Sequence, residues 1–299
     1  NELWCIIVVD ARTLGGVVAA LIIGLAVGYG ISQSEAPVTV TTTLPGTTTT
    51  ITSTLTTTVA MTTTITTTEM MQVGEEYTVK LAYKPGIGFY LVDANGMTLY
   101  FFAKDYDGKS KCYGECAARW PPFYVDNINP SPGLDPNDFT VITRDDGSMQ
   151  VAYKGWPLYY FVNDEEPGDV YGDGVRGVWF VAKPDYTVMV AVKEDLGEYL
   201  VTSDGMTLYF FAMDMDGKST CYGMCAERWP VYSPSSLVVP STLNITDFSY
   251  IIRDDGMTQL VYKGRPLYLW INDQARGDTT GHGVNNIWFV ASVTGELMP

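Results

Sequence analysis

The chain has 299 residues, a net charge of −16 and 13% aromatic residues. A surface this acidic repels nucleic-acid backbones, which excludes nucleic acid as a partner. The length is that of two ordinary domains, and a lone histidine cannot serve a catalytic set in both.

Residues 14–31 (LGGVVAALIIGLAVGYGI) carry no charge. As a helix they reach the short end of a bilayer span, and Gly15, Gly16, Ala19, Ala20, Gly24 and Gly28 would let helices approach closely. Residues 1–31 are expected to be an N-terminal membrane anchor whose single transmembrane helix spans about 14–31, with a secretory signal peptide as the alternative. Arg12 favours the N-terminus inside, so the remaining chain is expected to be extracellular.

Residues 32–74 are dominated by threonine, most densely over 39–68, with Pro37 and Pro45 nearby. This composition predicts an extended, O-glycosylated stalk. Ile51, Leu55, Val59, Met61 and Ile65 share one parity; as a strand they would line one face and could add to another molecule's sheet edge. The partners expected are the membrane, through the helix, and other envelope proteins or copies of this chain, through the Thr-rich segment.

Residues 77–182 recur at 186–291, shifted by 109 positions without a gap. Two tandem domains are therefore expected, 75–184 and 185–299. Turn signals are dense, as at Asn95-Gly96, Asp107-Gly108, Asp146-Gly147 and Lys154-Gly155. Between them lie short runs rich in Tyr, Phe, Val, Leu and Trp, the spacing of β-hairpins. Tyr100 and Phe102 share one strand face while Leu99, Phe101 and Ala103 take the other, so both faces are apolar and buried. The fold class expected is mainly β: two β-rich domains, sandwich or barrel-like, each with one short helix. That helix is placed at 112–120 and 221–229, stopped by Pro121 and Pro230. The loops 123–138 and 231–247 differ most between the copies, and loops on a fixed scaffold are the usual seat of specificity. Asn244-Ile245-Thr246 is an N-glycosylation sequon, which marks its loop as exposed.

A shorter pattern occurs four times: Tyr100-x-Phe102-x-x-Asp105, Tyr159-x-Phe161-x-x-Asp164, Tyr209-x-Phe211-x-x-Asp214 and Tyr268-x-Trp270-x-x-Asp273. With the Cys-x-Gly-x-Cys-Ala-x-x-Trp-Pro runs at 112–121 and 221–230, residues 75–292 resemble the secreted-repeat lipoprotein family marked by Tyr-x-(Phe/Trp/Tyr)-x-x-Asp motifs. The resemblance implies an extracytoplasmic protein and no particular reaction. One departure concerns the anchor: Cys5 lacks the small preceding residues of a lipid-attachment site, so a membrane helix would replace the lipid.

Cys112 and Cys116, like Cys221 and Cys225, stand one helical turn apart, within reach of a disulfide. Free thiols and a metal site are the alternatives, the latter two ligands short. Asp105-x-Asp107-Gly108 and Asp214-x-Asp216-Gly217 resemble the front of a calcium loop without its closing Glu. The competing reading is a β-turn capped by Asp. No cofactor is expected otherwise. Asp164, Asp169 and Asp173 make a second acidic loop, whose copy reads Asp273, Asp278 and His282; the His is expected at the surface. Trp120, Trp179, Trp229 and Trp288 are read as core, with a sugar-stacking surface as the alternative. No catalytic set is duplicated, so the expected function is structural or binding rather than enzymatic: adhesion, surface-layer association or filament building. A redox or metal-handling accessory role is the alternative.

Overall fold

The computed structural model describes the backbone of residues 4–8, 22–26, 37–44 and 47–54, and residues 77–294 apart from Asp216. The chain divides into two compact units, 1–71 and 72–299. In the first, Trp4–Val8 pairs antiparallel with Ile22–Ala26, and Pro37–Leu44 with Thr47–Thr54. The anchor expected over 14–31 otherwise lies outside the described residues, as do Leu55, Val59, Met61 and Ile65 of the stalk. Among the described residues no helix is long and apolar enough to cross a membrane.

The second unit holds both copies, and each repeats one plan. A hairpin opens it: Val79–Lys84 pairs with Gly88–Asp93, and Val188–Lys193 with Gly197–Thr202. The ladder then passes on. Leu99 N–H donates to Leu91 O at 3.0 Å, and Ala182 N–H to Leu99 O at 2.8 Å, which ties the start of the copy to its end. Tyr100–Phe102 pairs antiparallel with Trp179–Val181, and Tyr209–Phe211 with Trp288–Val290. A three-stranded sheet follows: Phe139–Thr143, Met149–Tyr153 and Trp156–Pro157, with its copy at Phe248–Ile252, Thr258–Tyr262 and Arg265–Pro266. Its second turn is Lys154-Gly155, both residues left-handed at φ 47° and 74°, the backbone that a two-residue hairpin turn requires.

The short helix forms at Glu115–Arg119 and Met224–Arg228. It ends where Trp120 N–H reaches back to Cys116 O and proline follows. Mainly β structure with one short helix per copy agrees with the sequence reading. Among the described residues no closed barrel forms: the sheets there have two or three strands each. The strands at Tyr100–Phe102 and Tyr209–Phe211 are three residues long, because the turn made by the motif's Asp begins directly after them, and Tyr159 and Tyr268 take part only in isolated bridges.

The copies share a core. One buried cluster joins Leu91, Phe101 and Trp156 of the first to Met189, Tyr199 and Val201 of the second. Trp156 Nε1–H donates to Ser203 O at 2.8 Å. Arg276 lies over the Trp156 ring at 4.6 Å and donates to Lys154 O at 2.9 Å and Tyr106 O at 3.2 Å. This joint has no internal copy, since Pro167 and Arg265 occupy the corresponding positions.

Candidate functional site

The four motifs meet in pairs. Tyr100 and Tyr159 face each other across an antiparallel bridge, each N–H donating to the other's carbonyl at 2.8 and 3.0 Å. From this local two-fold arrangement each side chain reaches the Asp of the other motif. Tyr100 Oη donates to Asp164 Oδ2 at 2.5 Å, and Tyr159 Oη to Asp105 Oδ2 at 2.5 Å. The second copy repeats the exchange, with Tyr209 on Asp273 at 2.6 Å and Tyr268 on Asp214 at 2.5 Å. These lengths are those of hydroxyls donating to carboxylates.

Each Asp uses its other oxygen to hold the loop that follows it. Asp105 Oδ1 accepts from Lys111 N–H at 2.7 Å and Asp164 Oδ1 from Tyr171 N–H at 3.0 Å. Asp214 and Asp273 accept from the N–H groups and hydroxyls of Thr220 and Thr280. The motif is therefore a reciprocal clasp, with Tyr as strap and Asp as loop closure. Burial pushes the Asp105 carboxyl up to about 7, against the pull of the Tyr159 hydroxyl. Burial also raises Asp164, and raises Tyr100 and Tyr159 far above the usual phenol range.

A polar chain extends from the clasp. With its own proton on Asp105, Tyr159 Oη accepts from the Ser110 hydroxyl at 2.8 Å. The Arg144 guanidinium, 4% exposed, donates to Ser110 Oγ at 2.7 Å, Gln150 Oε1 at 2.6 Å and Cys112 O at 2.7 Å. Ser219, Arg253, Gln259 and Cys221 repeat it. Sequence reasoning passed over Ser110 and Gln150. Their recurrence beside a recurring Arg was the available signal.

The third motif residues frame an aromatic stack. Phe102, Trp179, Trp120 and Phe161 lie in that order, with centroid spacings of 4.1, 3.8 and 4.2 Å. Phe211, Trp288, Trp229 and Trp270 repeat it at 4.3, 3.8 and 4.0 Å. Offset-stacked pairs add about 0.5–1.5 kcal/mol each beyond burial. Gly172 is small for this reason: a Cβ there would sit 2.7 Å from the Tyr100 ring and 2.8 Å from Trp120. The tryptophans are thus core residues whose faces cover one another, not a sugar-stacking surface.

Both cysteine pairs are closed disulfides, Cys112–Cys116 and Cys221–Cys225. Cys116 and the edges of the first stack line a cleft of ≈ 840 Å³. Of the residues considered for calcium, Asp105, Asp214 and Asp107 have hydrogen-bond partners within the protein. Asp105 is fully buried in the clasp, and Asp107 accepts from Lys109 N–H and from Lys111 Nζ at 2.8 Å; Asp216 lies outside the described residues. No group of three His, Cys, Asp or Glu placed to hold a metal occurs among the described residues. Asn244 is exposed and caps a short turn by accepting from Thr246 N–H at 3.0 Å. His282 is half-buried rather than at the surface. Its Nδ1 accepts from Val290 N–H at 3.3 Å, the bond that Asp173 Oδ1 makes to Val181 N–H at 3.0 Å. An acceptor is what the position requires, and a neutral His supplies one.

Fold and clasp together define a tandem-repeat protein whose signature residues build scaffold. The family described as a secreted repeat of unknown function matches residues 84–124, 140–183, 190–232 and 249–292, more than half of the chain. Each matched segment holds one Tyr–Asp motif, and the chain belongs to this family. Searches of curated proteins and of solved structures gave no match. The family's description as secreted fits an extracellular repeat protein.

Proposed function

We propose that this is a cell-surface protein held by an N-terminal membrane anchor and a glycosylated threonine stalk, whose two repeats serve as rigid platforms for binding envelope components. One observation carries the reading: all four Tyr–Asp pairs are spent on each other inside the fold. The residues that recur most faithfully are thus unavailable for duplicated chemistry, which favours binding over catalysis. Adhesion, surface-layer association and filament building are the forms such binding would take. The test is fractionation of cells with protease shaving. The full-length protein should follow the membrane, lose its C-terminal repeats to external protease, and co-sediment with isolated envelopes. Recovery in the cytosol, or no retention on envelopes, would sink the proposal.

A redox accessory role is the second reading. It draws support from Cys116, which lines the cleft beside Trp120. Thiol titration at a series of glutathione potentials tests it; disulfides that stay closed throughout the physiological range argue against it.

A further inference from the structure

The two copies keep one backbone and one aromatic stack but differ in the walls of the cleft beside it. In the first copy Lys104, Lys111, Arg119 and Arg176 line the cleft, against the single carboxylate of Glu115. At the corresponding positions the second copy has Met213, Thr220, Arg228, Asn285 and Met224. Met213 and Met224 are 60% and 76% exposed. Three of the four cations have thus been exchanged for uncharged residues, and the carboxylate for an exposed thioether.

The concentration of positive charge is not a property of the chain at large, which carries −16. Nor is it used internally. Lys111 pairs with Asp107 at 2.8 Å, but Lys104, Arg119 and Arg176 make no ion pair or side-chain hydrogen bond among the described residues. Charges of one sign around a concave, low-dielectric wall focus their field into the cleft. The apolar part of the lining is Val162, 48% exposed, with the partly buried Phe161, Cys116 and Val178, while Phe102, Trp120 and Trp179 lie behind it. A volume of ≈ 840 Å³ is in the range of small-ligand sites, roughly 300–1,000 Å³. That is room for a small ligand, and a cleft of this kind differs from the broad face of about 800 Å² per partner that a stable protein interface needs.

We infer that the first repeat's cleft is a binding site for an anionic saccharide, its acid groups held by Lys104, Arg119 and Arg176 and its ring against Val162 and Phe161, and that the second repeat has lost or never had this site. The inference rests on the binding reading above and names its ligand class. The acid group could belong to an envelope polysaccharide or to a free sugar acid; oligomer and monomer probes separate these sources.

The test uses the full-length protein in detergent and calorimetric titration with trigalacturonate, galacturonate and a neutral trisaccharide. The variant is Lys104→Met with Arg176→Asn, which installs the second copy's residues. These are compatible with the fold: Asn285 adopts φ 54°, as Arg176 does. An unchanged Tm and intact disulfides confirm folding. The expected result is trigalacturonate binding that falls at least tenfold in the variant and weakens between 20 and 300 mM salt, with no binding of the neutral sugar. Binding of galacturonate alone, as tight as the trimer, assigns the site to a free sugar acid and still supports the inference. Equal uronate binding by variant and wild type overturns it. So does absence of uronate binding, including the case where wild type self-associates in sedimentation and the variant does not, which would give the cleft to an acidic segment of a second copy. Retention on isolated envelopes, run in parallel, separates the two readings. Where uronate binding is absent or unchanged in the variant, equal retention of wild type and variant fails only the cleft assignment; if neither is retained, the binding platform fails with it.

Discussion

Tyr159→Phe removes a single hydroxyl from the first clasp. Asp105 would keep one donor, Lys111 N–H at 2.7 Å, and lose the Tyr159 hydroxyl at 2.5 Å. Ser110 would keep its bond from Arg144, so the damage concentrates on Asp105. The size of the effect depends on pH. Burial holds the folded Asp105 at about 7, well above about 3.9 for an unfolded Asp. Between those values the folded state holds the extra proton, so this group's contribution to stability falls as pH rises from about 4 to 7. At pH 5 the variant loses a bond between neutral groups, worth about 0.5–1.5 kcal/mol. At pH 8.5 it loses a bond to a buried carboxylate, worth about 1.5–3 kcal/mol, and the carboxyl's pKa climbs further because the hydroxyl was lowering it. For a unit of this size 1 kcal/mol moves Tm by about 2–4 °C. Thermal melts should therefore show a drop of roughly 1–6 °C at pH 5 and roughly 3–12 °C at pH 8.5. In an Asp105→Asn background the pH difference should vanish. Equal losses at both pH values, or full additivity with Asp105→Asn, would refute the clasp as an energetic unit.

Arg276→Ala removes the buried guanidinium joint, whose pKa burial pulls down to about 10 while leaving it charged at neutral pH. It should cost about 1–3 kcal/mol and split the calorimetric transition of the two repeats; one unchanged transition would contradict a coupling role. Replacing Cys112 and Cys116 together by Ala should cost about 2 kcal/mol, because so short a loop restrains the unfolded chain little. Trp120→Ala should cost more, about 3–5 kcal/mol, and a reversed order in chemical denaturation would make the disulfide the main staple. Burial lowers the His282 pKa, so its contribution is present above the unfolded value of about 6.5 and is lost as pH falls through it. His282→Asp, the first copy's choice, should abolish that loss in melts between pH 7 and 5. Calcium added after chelation should move Tm by less than about 1 °C, given how fully Asp105 is bonded; a saturable rise of several degrees would show that the ion displaces those donors.

The duplication, the β character, the short helix stopped by proline and a cysteine spacing within reach of a disulfide are legible along the chain; that the pairs are closed is shown by the structure. The legible features all rest on local chemistry: turn residues, strand alternation, a four-residue cysteine spacing and the missing N–H of proline. The amino-acid sequence also placed Asp105 at a turn, correctly as far as its own loop is concerned. What it could not disclose is that each motif's Tyr serves the other motif's Asp. Tyr100 and Asp164 are 64 positions apart, and only the antiparallel bridge between Tyr100 and Tyr159 sets which carboxylate each hydroxyl meets. The same holds for His282, whose role follows from the Val290 N–H it faces. The repeats looked like separate domains because an ungapped copy says nothing about the surface between copies. Arg276 and Trp156 break the repeat pattern, and only their packing explains why. Sequence variation pointed to the loops at 123–138 and 231–247. The tertiary structure added a second place where the copies diverge, since Lys104, Arg119 and Arg176 are scattered along the chain and meet only around the cleft.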